Sequence, residues 1–413
     1  MPKRLIAPRL SAPVFMNHRS ISRWRRAAIL LAACLSLGGC VSPMVLDGLS
    51  LGYNQATADD ISKQLLLNVA RAKFNEPIHF TAISNIAATL NFEANIGVTP
   101  PLTGDLGTTI MPIAGVNASD NPTITIVPIQ GEEFTLRLLT PLTEDKLTLL
   151  LRQNVDVDML LRLVTLEFRT RVNGREVVYH NRPRDRDDYA QFRKIVLHLS
   201  SIQDRDELYI EPLEFVKHWT LPADKMDAAS VQAMEKEYDI GFNEKKQVYH
   251  LGRPVSGRII ITNYDPDQLP EAERIRLNAE AEQNAPNDLL VDIRAAHPGG
   301  EFPLHGRLRL RSFANIVNFV GRTLSLEPEH DVAKDPRTPH ISQNPIFAME
   351  MYESDDKPEH TDLAVKYHGK YFAVGEDHGY PWNQTAFRVL WQIFQMTISD
   401  LPRAGTPSIT IAK

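Results

Sequence analysis

The chain has one stretch apolar enough to interest a membrane, and it is too short to cross one. Ala27 to Leu37 run without a charge behind Arg23, Arg25 and Arg26, the basic flank and short apolar segment of a secretory signal. After residue 40 no uncharged apolar run approaches the roughly 18 residues of a spanning helix, so everything downstream must fold around a core of its own. At 43% apolar over 413 residues, material for that core is ample. Residues 1–39 hold seven Lys and Arg and no Asp or Glu, and removing them leaves 38 basic against 51 acidic residues, a charge of −13. An acidic body has no basic footprint, which excludes a nucleic-acid binder.

The apolar stretch ends in Leu37-Gly38-Gly39-Cys40, which resembles the lipobox of bacterial lipoproteins. The resemblance implies a signal peptide over 1–39, cleavage before Cys40 and acylation of its thiol. Leu31-Ala32-Ala33-Cys34 matches the same pattern, but cutting there leaves only about seven apolar residues, the bottom of the signal range. Met16 would give a more ordinary signal length than Met1. Val41 is not the Asp of inner-membrane retention, so the resemblance implies an outer-membrane protein held on the periplasmic side by lipid at Cys40. With Cys34 removed and Cys40 acylated, no cysteine remains for a disulfide or a metal.

The remaining pattern predicts an α+β protein of mixed helices and mainly antiparallel strands, in two subdomains. Ile61, Leu65, Val69 and Ala72 predict a helix over 59–73 with Asp59 and Asp60 at its start. Alternation predicts strands at 90–96 and 123–126, and Gly and Pro predict a long loop between them at 97–122. That loop is unusually apolar and is a candidate for membrane or partner contact. Helices are expected at 143–153 and 187–200, and strands at 161–170, 176–180, 207–216, 247–251 and 258–262. Residues 40–262 then read as an N-terminal α+β domain, 263–303 as a charged linker or insertion containing a helix at 271–283, and 304–413 as a C-terminal subdomain. In the last part, a helix starts at Ser312 and stops at Gly321, and a hairpin turns at His368-Gly369-Lys370. A buried helix spans 384–399, and a short strand follows at 408–412.

Three segments, LLLNVARAKF at 65–74, LRSFANIVNFVGRTL at 310–324 and VKYHGKYFAV at 365–374, together with the lipobox, resemble a family of uncharacterised proteobacterial outer-membrane lipoproteins. The resemblance implies localisation and carries no activity.

Chemistry candidates are thin. Gly48-Leu49-Ser50-Leu51-Gly52 matches the nucleophile elbow, but no strand can precede it so close to Cys40. His360, His368 and His378 cluster in sequence without the spacing of a helical metal pair. Paired acids such as Asp156 with Asp158 need unequal environments before they can share acid and base work. Trp382, with Tyr380 before it, is the one aromatic expected at a partner surface. No catalytic, metal or cofactor residue is assigned. The expectation is a non-catalytic binding or scaffolding lipoprotein with an envelope protein or polymer as partner. The alternatives are an envelope hydrolase, and a subunit of an oligomeric export pore built from a hairpin near 79–96 and 123–136.

Overall fold

Asp156 shows how local chemistry sets the elements. Its carboxylate accepts the backbone N–H groups of Asp158 and Met159, so the apolar run after it begins as a helix, Val157–Val164. The expected strand at 161–170 is therefore displaced to Thr165–Val172. A run buried on every side has no period with which to declare itself.

The computed structural model describes residues 41–98, 112–324, 327–359, 361, 363–377 and 379–398. The described residues form helices α1 (Val41–Lys73), α2 (Glu132–Leu139), α3 (Glu144–Leu151), α4 (Val157–Val164), α5 (Arg186–Gln203), α6 (Ala228–Met234), α7 (Glu271–Glu282), α8 (Phe313–Thr323) and α9 (Trp382–Ile398). The strands are β1 (Phe80–Val98), β2 (Pro112–Ile129), β3 (Thr165–Val172), β4 (Arg175–His180), β5 (Tyr209–Pro222), β6 (Asp239–Asn243), β7 (Val248–Thr262), β8 (Asp288–Ile293), β9 (Leu304–Leu310), β10 (Met351–Ser354), β11 (Ala364–Tyr367) and β12 (Lys370–Val374). The fold is α+β, with β7 and β8 the parallel neighbours in otherwise antiparallel sheets.

The chain divides into two units, residues 1–61 and 62–413. In the first, α1 begins well before the expected start at 59, and Asp59 is an interior residue bonded to Gln55 at 2.9 Å. The second unit holds the rest of α1 and all three sheets. The largest runs β4-β3-β9-β8-β7-β5, with β6 added on β7.

This order corrects the expected division at 263–303. Asp288–Ile293 is buried at every position and lies between β7 and β9, so the charged segment is no linker: it crosses over through α7 and supplies an interior strand. The apolar face of α7, Leu277 and Ala281, packs with Leu213, Ile260 and Leu290 of the sheet. The expected strands 247–251 and 258–262 are one strand, β7.

Gly321 does not stop its helix either. A Cβ there would lie 2.6 Å from the Ala72 Cβ and 2.7 Å from the Val69 carbonyl, so the glycine lets α8 and the end of α1 approach closely. α9 is buried along Ala386, Val389, Leu390, Ile393 and Phe394, while Trp391 is half-buried. The strand expected at 408–412 lies outside the described residues.

Candidate functional site

β1 and β2 form a two-stranded sheet by themselves, in register from Phe80↔Ile129 to Val98↔Pro112 with one bulge near Ile83. The strands have 19 and 18 residues, about 60 Å of ribbon at ~3.4 Å per residue. The expected loop 97–122 shrinks accordingly. Residues 97–98 and 112–122 are strand, and 99–111 lie outside the described residues.

Fixed register assigns the faces. Positions 86, 88, 90, 92, 94 and 96 share one face with 114, 116, 118, 120, 122 and 124, and every one except Asp120 is Ala, Val, Ile, Leu, Phe or Pro. The opposite face carries Thr89, Asn91, Glu93 and Asn95 with Asn117, Ser119, Asn121 and Thr123. Residues 80–129 contain three charged residues, Glu93, Asp105 and Asp120, and no Lys, Arg or His. At the foot of the ribbon Ile124, Ile126 and Val127 are 47%, 62% and 37% exposed. A ribbon of two strands is marginal in water, and two open edges invite further pairing.

Proline sorts those edges. Pro112 and Pro122 share even parity in β2, and a proline fits a ladder where its missing N–H would have faced outward. Even positions of β2 thus turn their N–H groups to the free edge, which is capped at 112 and 122 and open over 113–121. That is nine residues, the length of a tilted transmembrane strand. β1 contains no proline.

The foot is held firmly. From α1, Gln64 Oε1 accepts the Thr81 N–H at 2.7 Å while Gln64 Nε2 donates to the Thr81 carbonyl at 3.1 Å. Asn68, fully buried one turn on, repeats the pattern at His79, accepting at 2.9 Å and donating at 2.8 Å. Two side-chain amides at i and i+4 thereby stand in for a neighbouring strand. Phe80 is buried and stacks on Phe394 at 4.2 Å, with Phe313 at 6.2 Å and Phe134 at 6.4 Å. In the sequence the only sign of this clamp is Asn68 itself, a polar residue directly after the leucine run of the helix expected over 59–73.

Family models, curated proteins and solved structures were compared with the chain, and none matches.

The residues singled out by sequence fall in different places. Cys40, Cys34, His360 and His378 lie outside the described residues. Gly48–Gly52 is interior to α1 and has no strand–turn–helix geometry. His368 occupies the β11–β12 turn and contacts Glu76 Oε1 at 2.9 Å. Tyr380 and Trp382 do come together, with ring centroids 6.3 Å apart, beside a cavity of about 320 Å3 that Glu350, Glu376 and Asp377 also line. Their environments differ. Tyr380 is 42% exposed, but Trp382 is buried, and its Nε1–H is shared between the Phe347 and Ala348 carbonyls at 3.0 Å each. The surface role expected of Trp382 is corrected: an indole that donates inward holds its own helix terminus.

Asp156 and Asp158 do have unequal environments. Asp158 is fully buried and ion-paired with Arg162 and Arg193. Burial and the adjacent Asp158 push the Asp156 carboxyl up to about 7. Arg162 also binds Glu329 Oε1 at 2.7 Å and the Pro345 carbonyl at 2.9 Å, and Glu329 Oε1 accepts the Tyr189 hydroxyl at 2.8 Å. Arg193 reaches Asn344 at 2.8 Å. This network ties the irregular segment 327–350 to α4 and α5. In the sequence the acid pair gives no sign of these partners; an arginine inside Met159-Leu160-Leu161-Arg162-Leu163-Val164 is the available sign of burial. Among the described residues no group of three His, Cys, Asp or Glu is disposed to hold a metal.

Proposed function

We propose that the chain is a lipid-anchored, non-catalytic outer-membrane protein whose ribbon joins those of neighbouring copies in a closed β-barrel across the bilayer. The observation that carries this reading is the ribbon itself: two strands with one apolar and one polar face, paired with no third strand among the described residues and, along β2, open between prolines over nine residues. Closure with further copies would pair every free backbone group, the condition for crossing lipid. The apolar face would meet acyl chains, and the Asn, Thr, Ser and Glu face would line an aqueous lumen. Asp120 then falls at the edge of the lipid-facing band. The foot clamp supports the reading because it fixes where the ribbon leaves the body. Lipid at Cys40 would keep the copies on one leaflet.

The test is conductance of detergent-purified full-length protein in planar bilayers. Stepwise channels are expected, and Phe92→Asp, a charge on the lipid face, should abolish them. Silent bilayers with the parent protein, or channels unchanged by Phe92→Asp, would contradict the proposal.

A second reading, recognition of an envelope protein or polymer, is favoured by exposed Tyr380 at its cavity. Tyr380→Ala should then remove a crosslinked partner from intact cells; an unchanged crosslinking pattern refutes it.

A further inference from the structure

Arg311 is the least compensated charge in the core. It is 3% exposed, and its guanidinium lies 4.0 Å over the Phe319 ring. Its hydrogen bonds go to carbonyls: Nη1 to Arg162 at 3.0 Å and Leu163 at 3.1 Å, Nη2 to Asn181 at 2.7 Å. No carboxylate among the described residues forms an ion pair with it, unlike the other buried arginines, Arg162 and Arg193. A guanidinium has five N–H donors, so these three bonds leave capacity. Burial, opposed only in part by the charge of Glu329, pulls its pKa down to about 9.

The same side chain lines a cavity of about 210 Å3 with Asn181, Arg182, Phe319, Arg322 and Glu327. Arg182 is paired with Asp185 at 3.2 Å, so Arg311 and Arg322 against Glu327 leave the lining with a positive balance. Arg322 is exposed, and its side chain has no hydrogen-bond or ion-pair partner among the described residues. Asn181 is 2% exposed and donates its amide to the Arg162 and Thr165 carbonyls at 2.8 Å each, which fixes its orientation. Its Oδ1 is buried with no partner. A buried acceptor without a donor costs free energy, as does a buried cation with no carboxylate in ion-pair contact. One ligand could answer both.

We propose that this cavity binds a small anionic molecule, a carboxylate or phosphate carrying a hydrogen-bond donor beside its charge. Arg311 and Arg322 hold the anion and Asn181 Oδ1 accepts from the donor. The volume is below the roughly 300 Å3 at which drug-sized sites begin, so the occupant is compact. The site is independent of the ribbon and stands or falls apart from it.

Calorimetric titration of the detergent-purified full-length protein with inorganic phosphate and, separately, N-acetylglycinate distinguishes the two anion types. At least one should bind saturably, and Arg322→Ala should weaken it about tenfold, the scale of one charge-assisted hydrogen bond. Acetate, which has no donor, should bind several-fold more weakly than N-acetylglycinate if the carboxylate is the preferred anion. Arg311→Ala removes buried bonds the fold uses; Arg322 makes none, so its variant should melt like the parent. Failure of both anions to saturate, or equal affinity in Arg322→Ala, would overturn the proposal.

Discussion

The antiparallel ribbon and the mainly antiparallel seven-stranded sheet belong to the same chain, yet they solve the strand problem in opposite ways. In the large sheet, charges pair along and across the strands: Arg309 of β9 with Asp288 of the adjacent β8 at 2.8 Å, Arg307 of β9 with Glu176 of β4, across β3, at 2.5 Å, and Arg169 with Glu167 within β3 at 2.5 Å. Interior strands such as β8 are flanked on both sides. The ribbon has neither device. Residues 80–129 hold three charges of one sign, and among the described residues no third strand pairs with either edge of the ribbon. A sheet that completes itself within one chain can afford charge on its wet face. A ribbon that is poor in charge and sorted into two faces is built for surroundings that other molecules must supply.

The comparison breaks first at the foot of the ribbon. Phe394→Ala removes the ring stacked on Phe80 and should cost about 3–5 kcal/mol of unfolding free energy in denaturant titration. Asn68→Leu leaves the His79 N–H without its side-chain acceptor, while the His79 carbonyl keeps Arg71 Nη1 at 3.2 Å, and a loss of about 1–3 kcal/mol is expected in the same assay. If either variant unfolds like the parent, the ribbon is not anchored as described. Gly321→Ala forces α8 away from Ala72 and Val69 and should cost about 1–3 kcal/mol, read as a lower melting temperature.

The smallest effect belongs to the sheet. Hydrogen bonding to Asp292, aided by Glu280 and opposed by burial, raises His305 to about 9. With its folded pKa above the ordinary value of 6.5, His305 contributes stability that is fully present below pH 6.5 and lost as pH rises through about 9. The ring is half exposed, so solvent screening keeps the contribution below about 1 kcal/mol. His305→Gln should flatten the stability profile between pH 6.5 and 9 and leave the parent and variant alike at pH 10. A profile with the same slope in both proteins would remove His305 from the sheet's electrostatics.

Features with a local chemical cause were legible in the sequence. Ser312 accepts the Asn315 N–H at 3.3 Å and starts α8 where its hydroxyl predicts. The β11–β12 hairpin turns on His368 and Gly369, both with positive φ, at 46° and 81°. Features set by distant partners were hidden. Val157–Val164 reads equally as strand or helix until the Asp156 cap is noticed. Asp288–Ile293 has acids at both ends of its apolar centre, and only its neighbours β7 and β9 show that it is interior. Arg311 and Asn181 are ordinary polar residues in sequence, and the cavity they share joins segments 130 positions apart. The ribbon was half visible, because alternation marks 90–96 but glycine and proline in 112–122 imitate a loop.

The most direct test exploits the parity of the prolines. Ala118 is an even position between Pro112 and Pro122, so Ala118→Pro should remove an outward N–H from the open edge and spare the ladder within the hairpin. The measurement is the mass of the full-length, lipid-bearing protein in mild detergent. The parent should run as a closed assembly of several copies, and Ala118→Pro as a monomer with the parent's melting temperature. A parent that is itself monomeric or dimeric, or an Ala118→Pro variant that still assembles, would contradict the account.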